Sequence, residues 1–256
     1  MKRIVQFALK RIPRTWLQRM APLILRAIAP LYRGSKYSCP IEGKSYRKFL
    51  PYGRINPRPN ALCPGSMSLE RHRLIWLYLE QRTDFFQKPQ RVLHIAPEAC
   101  FIPGFEEMHG DNYITGDLES PLAKVHFDIH EIPFEEGAFD VLMCNHVLEH
   151  VEDDIQAMAE MYRVLKPGGW AITQVPFFPP LPEKTVSDPT VSDPTERERL
   201  FGQDDHVRKY GLDFPDRLRS VGFQVSEDDF VNELSPEERK KFALPEGEII
   251  YVSRKA

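Results

Sequence analysis

Three histidines stand in two polar runs, Asn145-His146-Val147-Leu148-Glu149-His150-Val151 and Asp204-Asp205-His206-Val207-Arg208-Lys209-Tyr210. Histidine changes charge near neutral pH, so His146 and His206 are the first candidates for a general base, and His150, four residues after His146, is read as structural. Arg208 and Tyr210 are candidates for orienting an anionic or sugar-like molecule. Carboxylates form a second group. Glu98 lies in "RVLHIAPEAC" (91–100), a strand running into a turn that contains no glycine, while Asp117 ends "NYITGD" and Asp128 lies in "KVHFDI". A carboxylate at the C-terminal end of a parallel strand is placed to accept hydrogen bonds from a ligand. The third group is sulfur-based. Cys39-Pro-Ile-Glu42 and Cys63-Pro-Gly-Ser66 look like two halves of a zinc ribbon that has lost half its ligands. Serine almost never ligates zinc, so a metal-free knuckle held by packing is expected, and no metal is assigned to the site.

The elements that must position these groups are legible from periodicity. Leu69, Arg73, Trp76, Leu77 and Leu79 mark an amphipathic helix from Ser68 to about Phe86. Strands are predicted at 91–96, 112–117, 124–129, 138–145 and 169–175, with a weak helix near 101–109. The helix at 152–166 is the clearest, with Ile155, Met158, Ala159, Tyr162 and Leu165 on one face and a stop at Lys166-Pro-Gly-Gly. Only about eight residues separate the second and third strands, too few for the usual crossover helix. Beyond 175, a helix near 212–221, a strand at 223–231, a short helix at 235–243 and a last strand at 247–253 suggest an antiparallel end to the sheet. Residues 176–210, with the duplication "TVSDPTVSDP", read as a lid or flexible insertion. Alternation of strand and helix implies an α/β fold with a mostly parallel sheet covered on its faces.

Charge is unevenly spread. Residues 1–58 carry 14 Lys/Arg against the single acid Glu42, whereas the rest of the chain carries a balance of −16. Within 1–34 the apolar residues Ile4, Ala8, Ile12, Trp16, Met20, Ile24 and Ile28 recur every four positions, broken by Pro13, Pro22 and Pro30. Such a basic, acid-free stripe fits either a peripheral contact with an anionic membrane or a helical arm packed on its own domain. The four cysteines are too few for a disulfide framework, and a reducing, cytoplasmic setting is expected, peripheral on the inner membrane face if the arm binds there. No apolar run reaches the ~18–20 residues needed to span a bilayer, and basic residues interrupt any signal-like segment.

The run "FDVLMCNHVLEHVEDD … YRVLKPGGWAITQVP" (139–176) resembles the class I, Rossmann-like S-adenosylmethionine-dependent methyltransferases, type 11-like, with a degenerate zinc-ribbon-like module in front. The resemblance covers about 91–256. It implies a seven-stranded, mostly parallel sheet with an antiparallel last strand, plus a small N-terminal ribbon and helix module. The expected divisions are an arm at 1–34, a knuckle at 35–67 and a methyltransferase domain at 68–256. It also implies S-adenosyl-L-methionine as cofactor. Ala96, Pro97 and Glu98 lie where its methionine end is wrapped, and Asp117 and Leu118 where the ribose is gripped. Asp128 and Ile129 lie where adenine is read, and Asn145 and His146 face the methyl-transfer centre. Against the family's glycine loop this chain has Ala96, Glu98 and Cys100 in place of glycines, and His94 where an acid is usual. Since the cofactor carries an ammonium and no phosphate, Glu98 is expected to replace the lost acid and pair with that ammonium.

These readings lead to methyl transfer onto a small-molecule or lipid-linked acceptor. The competing expectations are a degenerate methyltransferase fold serving as a scaffold, and a nucleic-acid methyltransferase. The acidic body argues against nucleic acid. Oligomeric state is not legible in the chain.

Overall fold

The structure is a computed structural model and describes residues 24–256 apart from 26 and 54–56. Most of the expected basic arm, 1–23 and 26, therefore lies outside the described residues. Among the described residues no helix is long and apolar enough to cross a membrane. The chain divides into two compact units: residues through Tyr78 together with Val231–Glu246, and Leu79–Phe230 together with Gly247–Ala256.

The first unit opens with two small antiparallel pairs, β1 (Arg33–Cys39) with β2 (Lys44–Tyr46) and β3 (Leu50–Tyr52) with β4 (Arg58–Leu62). Strand β1 takes residues 33 and 34 from the expected arm, because Arg33 pairs with Tyr46. Helix α1 (Glu70–Arg82) follows, shorter at both ends than predicted. In the knuckle, Cys63 Sγ donates to Glu42 Oε1 at 3.1 Å, and the same carboxylate accepts from Tyr46 Oη at 2.9 Å and Ser66 N at 3.0 Å. Cys39 Sγ lies 3.2 Å from Ser66 Oγ. The Cys63 thiol beside it draws Cys39 down to about 6, while that contact and burial push Cys63 up.

The second unit is built on one seven-stranded sheet. In chain order its elements are β5 (Val92–Ile95), α2 (Ile102–His109), β6 (Tyr113–Asp117), β7 (Val125–His126), β8 (Phe139–Asn145), α3 (Asp154–Val164) and β9 (Leu165–Gln174). Then come β10 (Val186–Ser187), α4 (Pro194–Phe201), β11 (Arg208–Lys209), α5 (Phe214–Ser220), β12 (Gln224–Asp228) and β13 (Ile250–Arg254). The sheet order is β12-β13-β9-β8-β5-β6-β7, with β13 antiparallel to both neighbours and the rest of the β9-to-β7 side parallel. All four residues of β5 are buried, as expected of a central strand covered on both faces. Residues 118–124 contain no helix, in line with the short link between β6 and β7.

Several boundaries moved, each for a physical reason. Helix α3 is capped by the Asp153 side chain, which accepts from Gln156 N. Its most buried face is Ala157, Met158, Met161 and Val164, one step round from the predicted stripe. Buried Asp154 anchors that rotation: it accepts from Tyr210 Oη at 2.8 Å and Arg217 Nε at 2.9 Å. Burial raises the Asp154 carboxyl, but Arg217 and Arg208 outweigh it and hold it below its ordinary value. The helix ends two residues early because Leu165 is already extended, and Lys166-Pro-Gly-Gly opens β9 instead of closing the helix. Gly169 is required there, since a Cβ would sit 2.9 Å from the Lys166 carbonyl oxygen.

The segment 176–210, expected as a lid or flexible insertion, carries short regular elements. The two copies of the repeated pentapeptide take different roles. The first supplies β10, which pairs with β11, and the second supplies Asp193, whose side chain caps α4 through Glu196 N. The remaining difference concerns 231–246, expected in the methyltransferase domain but packed into the first unit. Helix α6 (Pro236–Phe242), opened by a Ser235/Glu238 capping box, lies in this stretch. Arg73 holds it. The guanidinium, wholly buried, donates to the carbonyls of Phe242 and Ala243 at 2.6 Å each, and to those of Ala61 at 3.0 Å and Ser68 at 2.8 Å. A buried cation needs that many acceptors, so the chain is pulled back to it.

Candidate functional site

A cleft of about 580 Å³ opens outside the C-terminal ends of β5, β6 and β8. That is where a parallel α/β sheet presents ligands, and the volume suits a cofactor-sized molecule. Of the residues singled out in the sequence, Ala96, Asp117, Leu118, Asp128, Ile129 and His146 line it. Pro97, Glu98, Asn145 and His206 do not.

The turn after β5 keeps a glycine-like shape without glycine. Ala96 has φ +49°, and its amide donates to the Gly116 carbonyl at 2.8 Å. A methyl is the smallest side chain that can occupy this left-handed position. Behind it runs a buried polar chain. Tyr113 Oη lies 2.7 Å from His94 Nδ1, His94 Nε2 lies 2.5 Å from Glu98 Oε2, and Asn145 Nδ2 donates to Glu98 Oε1 at 3.2 Å. Burial, reinforced by Glu98, raises the Tyr113 hydroxyl, so it keeps its proton. The Glu98 carboxylate can only accept, so His94 Nε2–H donates to it. The acid missing at 94 has in effect moved to 98, with its carboxylate turned to His94 and Asn145.

At the end of β6, Asp117 Oδ1 accepts the amides of Glu119 at 2.8 Å and Ser120 at 2.7 Å, bonds that take no part of its second oxygen. Neighbouring Leu118 is exposed. The Phe127 ring packs on Gly116, where any Cβ would come within 2.2 Å of it. Asp128 Oδ1 accepts from His130 N at 2.9 Å and pairs with His130 Nδ1 at 2.6 Å. These bonds, the backbone one foremost, hold its carboxyl below the ordinary range. His130 Nε2 in turn accepts from Asp153 N, tying the loop to the start of α3.

His146, also left-handed at φ +56°, sits at the end of β8 with its amide on the Gln174 carbonyl at 2.7 Å. Its Nδ1 lies 3.3 Å from Glu149 Oε1, and its Nε2 has no partner among the described residues. His206 is 1% exposed and stands behind the wall, its Nδ1 on the Phe201 carbonyl at 3.1 Å. Burial lowers its basicity. Arg208 and Tyr210, read as acceptor-orienting, are buried ties instead. Arg208 donates to the carbonyls of Leu148, Val151 and Glu152, and Tyr210 to Asp154. Their polar ends are consumed by the turn that carries His146. Glu149, which the sequence reading left without a role, is 1% exposed and is the residue through which His146 is oriented. The Leu-Glu-His spacing carried its only signal.

The lining also tests the cofactor. Asp117, Asp128 and Glu152 contribute carboxylates and, among the described residues, no Lys or Arg lines the cleft, while Ile95, Phe127 and Ile129 give it apolar surface. That set fits a cationic nucleoside better than a phosphate-bearing dinucleotide, which recruits basic groups or glycine amides.

Comparison with known proteins agrees. Residues 107–173 match the family described as methyltransferase domain. The chain is 38% identical over 68 residues to a demethylmenaquinone methyltransferase of Staphylococcus epidermidis, covering 27% of this chain and 28% of that protein. It is 52% identical over 42 residues to an uncharacterized 37.1 kDa protein in transposon TN4556 of Streptomyces fradiae, covering 16% and 12%. The chain thus spans 28% of the one relative's length and 12% of the other's. Among solved structures, an S-adenosylmethionine-dependent methyltransferase from Mesorhizobium loti aligns with a TM-score of 0.47 at 14% identity, covering 70% of this chain and 97% of that one. The matched segment lies within the second unit, whose seven-stranded sheet is mostly parallel with β13 antiparallel to both neighbours.

Proposed function

We propose that the cleft binds S-adenosyl-L-methionine and that the domain transfers its methyl group to a small-molecule or lipid-linked acceptor. The observation that carries this reading is a cofactor-sized cleft at the strand ends which, among the described residues, is lined by carboxylates and by no Lys or Arg. When bound, the cofactor supplies a methyl group already activated by its sulfonium. The chain's own residues have the simpler tasks of holding, aligning and excluding water. Asp117 offers the oxygen not used in its turn to a ribose diol, Leu118, Phe127 and Ile129 enclose the base, and the Ala96 turn receives the methionine end. Glu98 and Asn145 position that turn from behind. His146, its Nδ1 3.3 Å from Glu149 Oε1, is the base candidate on the cleft lining; its Nε2 is buried, so the ring must turn before that nitrogen can take a proton from an acceptor hydroxyl.

Calorimetry with S-adenosylmethionine and S-adenosylhomocysteine tests the reading. Asp117→Asn keeps the oxygen that holds the turn and removes the second carboxylate oxygen. Affinity should fall about tenfold or more, the loss of a charge-assisted hydrogen bond of ~1.5–3 kcal/mol. A wild-type protein with no heat of binding would instead be a scaffold.

A further inference from the structure

Three side chains at the wall of the cleft converge with their ligand atoms turned toward one another. Glu149, His150 and His206 each offer one atom, all within 4.8 Å of one another. His150 Nε2 lies 4.0 Å from Glu149 Oε1, and the two imidazole rings meet edge to face at 4.8 Å between centroids. The outer bonds set the tautomers. His150 Nδ1 is 3.2 Å from the Asp205 carbonyl oxygen and His206 Nδ1 is 3.1 Å from that of Phe201, so in each neutral ring the hydrogen is on Nδ1 and the Nε2 lone pair faces inward. Backbone carbonyls commonly orient metal-bound histidines in this way. The inner atoms are the anomaly. His206 Nε2 and Glu149 Oε2 are buried without a hydrogen-bond partner among the described residues, although both residues are 1% exposed. Buried polar atoms are rarely left so, and here the missing partner must satisfy two nitrogens and a carboxylate at once.

We propose that Glu149, His150 and His206 bind one divalent transition-metal ion. Two imidazoles and a carboxylate are a donor set for zinc and its neighbours, and the three atoms need draw in by only about an ångström to meet the ~2.0–2.1 Å bond lengths of such an ion. His150 also lines the cleft, so a coordination position remains open on that side for water or an acceptor oxygen. The ion ties the turn carrying His146 to the segment between α4 and β11.

The test uses the full chain, stripped with chelator and without S-adenosylmethionine, titrated with Co²⁺ and then Zn²⁺. The expected result is saturation at one equivalent with a weak visible Co²⁺ band, displaced by Zn²⁺. Affinity should fall at least tenfold in His206→Gln and in His150→Ala. His150 is partly exposed, so its truncation leaves a folded protein if the buried substitution does not, with circular dichroism as the check. Absence of any band overturns the proposal, as does unchanged affinity in a folded variant. Intense thiolate-to-metal bands abolished by Cys39→Ser also overturn it, because they place the ion at Cys39, Glu42 and Cys63. None of these outcomes bears on the calorimetry with S-adenosylmethionine.

Discussion

Glu98 separates two uses of one carboxylate. Its side chain is 14% exposed and its two oxygens accept from His94 Nε2 at 2.5 Å and Asn145 Nδ2 at 3.2 Å. Truncation in Glu98→Ala leaves both donors without these acceptors, one of them on a wholly buried imidazole. At ~1–3 kcal/mol for each buried donor stranded, the variant should lose about 2–6 kcal/mol of stability. Glu98→Gln retains one acceptor oxygen and should lose about 1–2 kcal/mol. Urea unfolding followed by circular dichroism reads both values by linear extrapolation. Calorimetry with S-adenosylmethionine then distinguishes anchoring from direct contact. If Glu98 only holds the turn, Glu98→Gln changes affinity less than about threefold, whereas a lost ammonium contact weakens it about 10- to 150-fold. An alanine variant within about 0.5 kcal/mol of wild type, coupled to a tenfold loss of affinity, would refute the anchoring role.

Two further outcomes follow from the same unit. Ala96 holds φ +49°, which costs a residue with a Cβ roughly 1–2 kcal/mol, so Ala96→Gly should leave urea stability equal or raise it by up to about 1 kcal/mol after the entropy of the freer unfolded chain. Ala96→Val should instead destabilise, and the reverse order would show that the turn is not left-handed. His109 is 3% exposed and its Nδ1 accepts from Gln90 N at 3.1 Å, and burial lowers it from 6.5 to about 4. The unfolded chain therefore takes up this proton first. Stability is complete above about pH 6.5 and falls by about 3 kcal/mol as pH drops toward 4, a slope that His109→Gln should remove. Equal slopes in the two proteins would exclude His109 as its source.

What the chain alone determined is local and periodic. The buried strand at 92–95, the helix at 154–164 with its acidic start, and the short β6–β7 link follow from side-chain period, capping chemistry and chain length, which neighbouring residues decide among themselves. Asp117, Asp128, Ile129 and His146 were readable as cleft residues because strand ends in a parallel sheet must gather at one edge. Partnership was not readable. That Glu98 turns to a histidine four residues back, that Arg208 and Tyr210 serve Asp154 and the 148–152 turn, and that His206 meets Glu149 and His150 all depend on contacts between distant segments. The same holds for Arg73, whose buried charge recruits the carbonyls of 242 and 243 and so assigns 231–246 to the first unit. A buried polar group must find a partner wherever the fold brings one, and sequence spacing carries no record of which segment that will be.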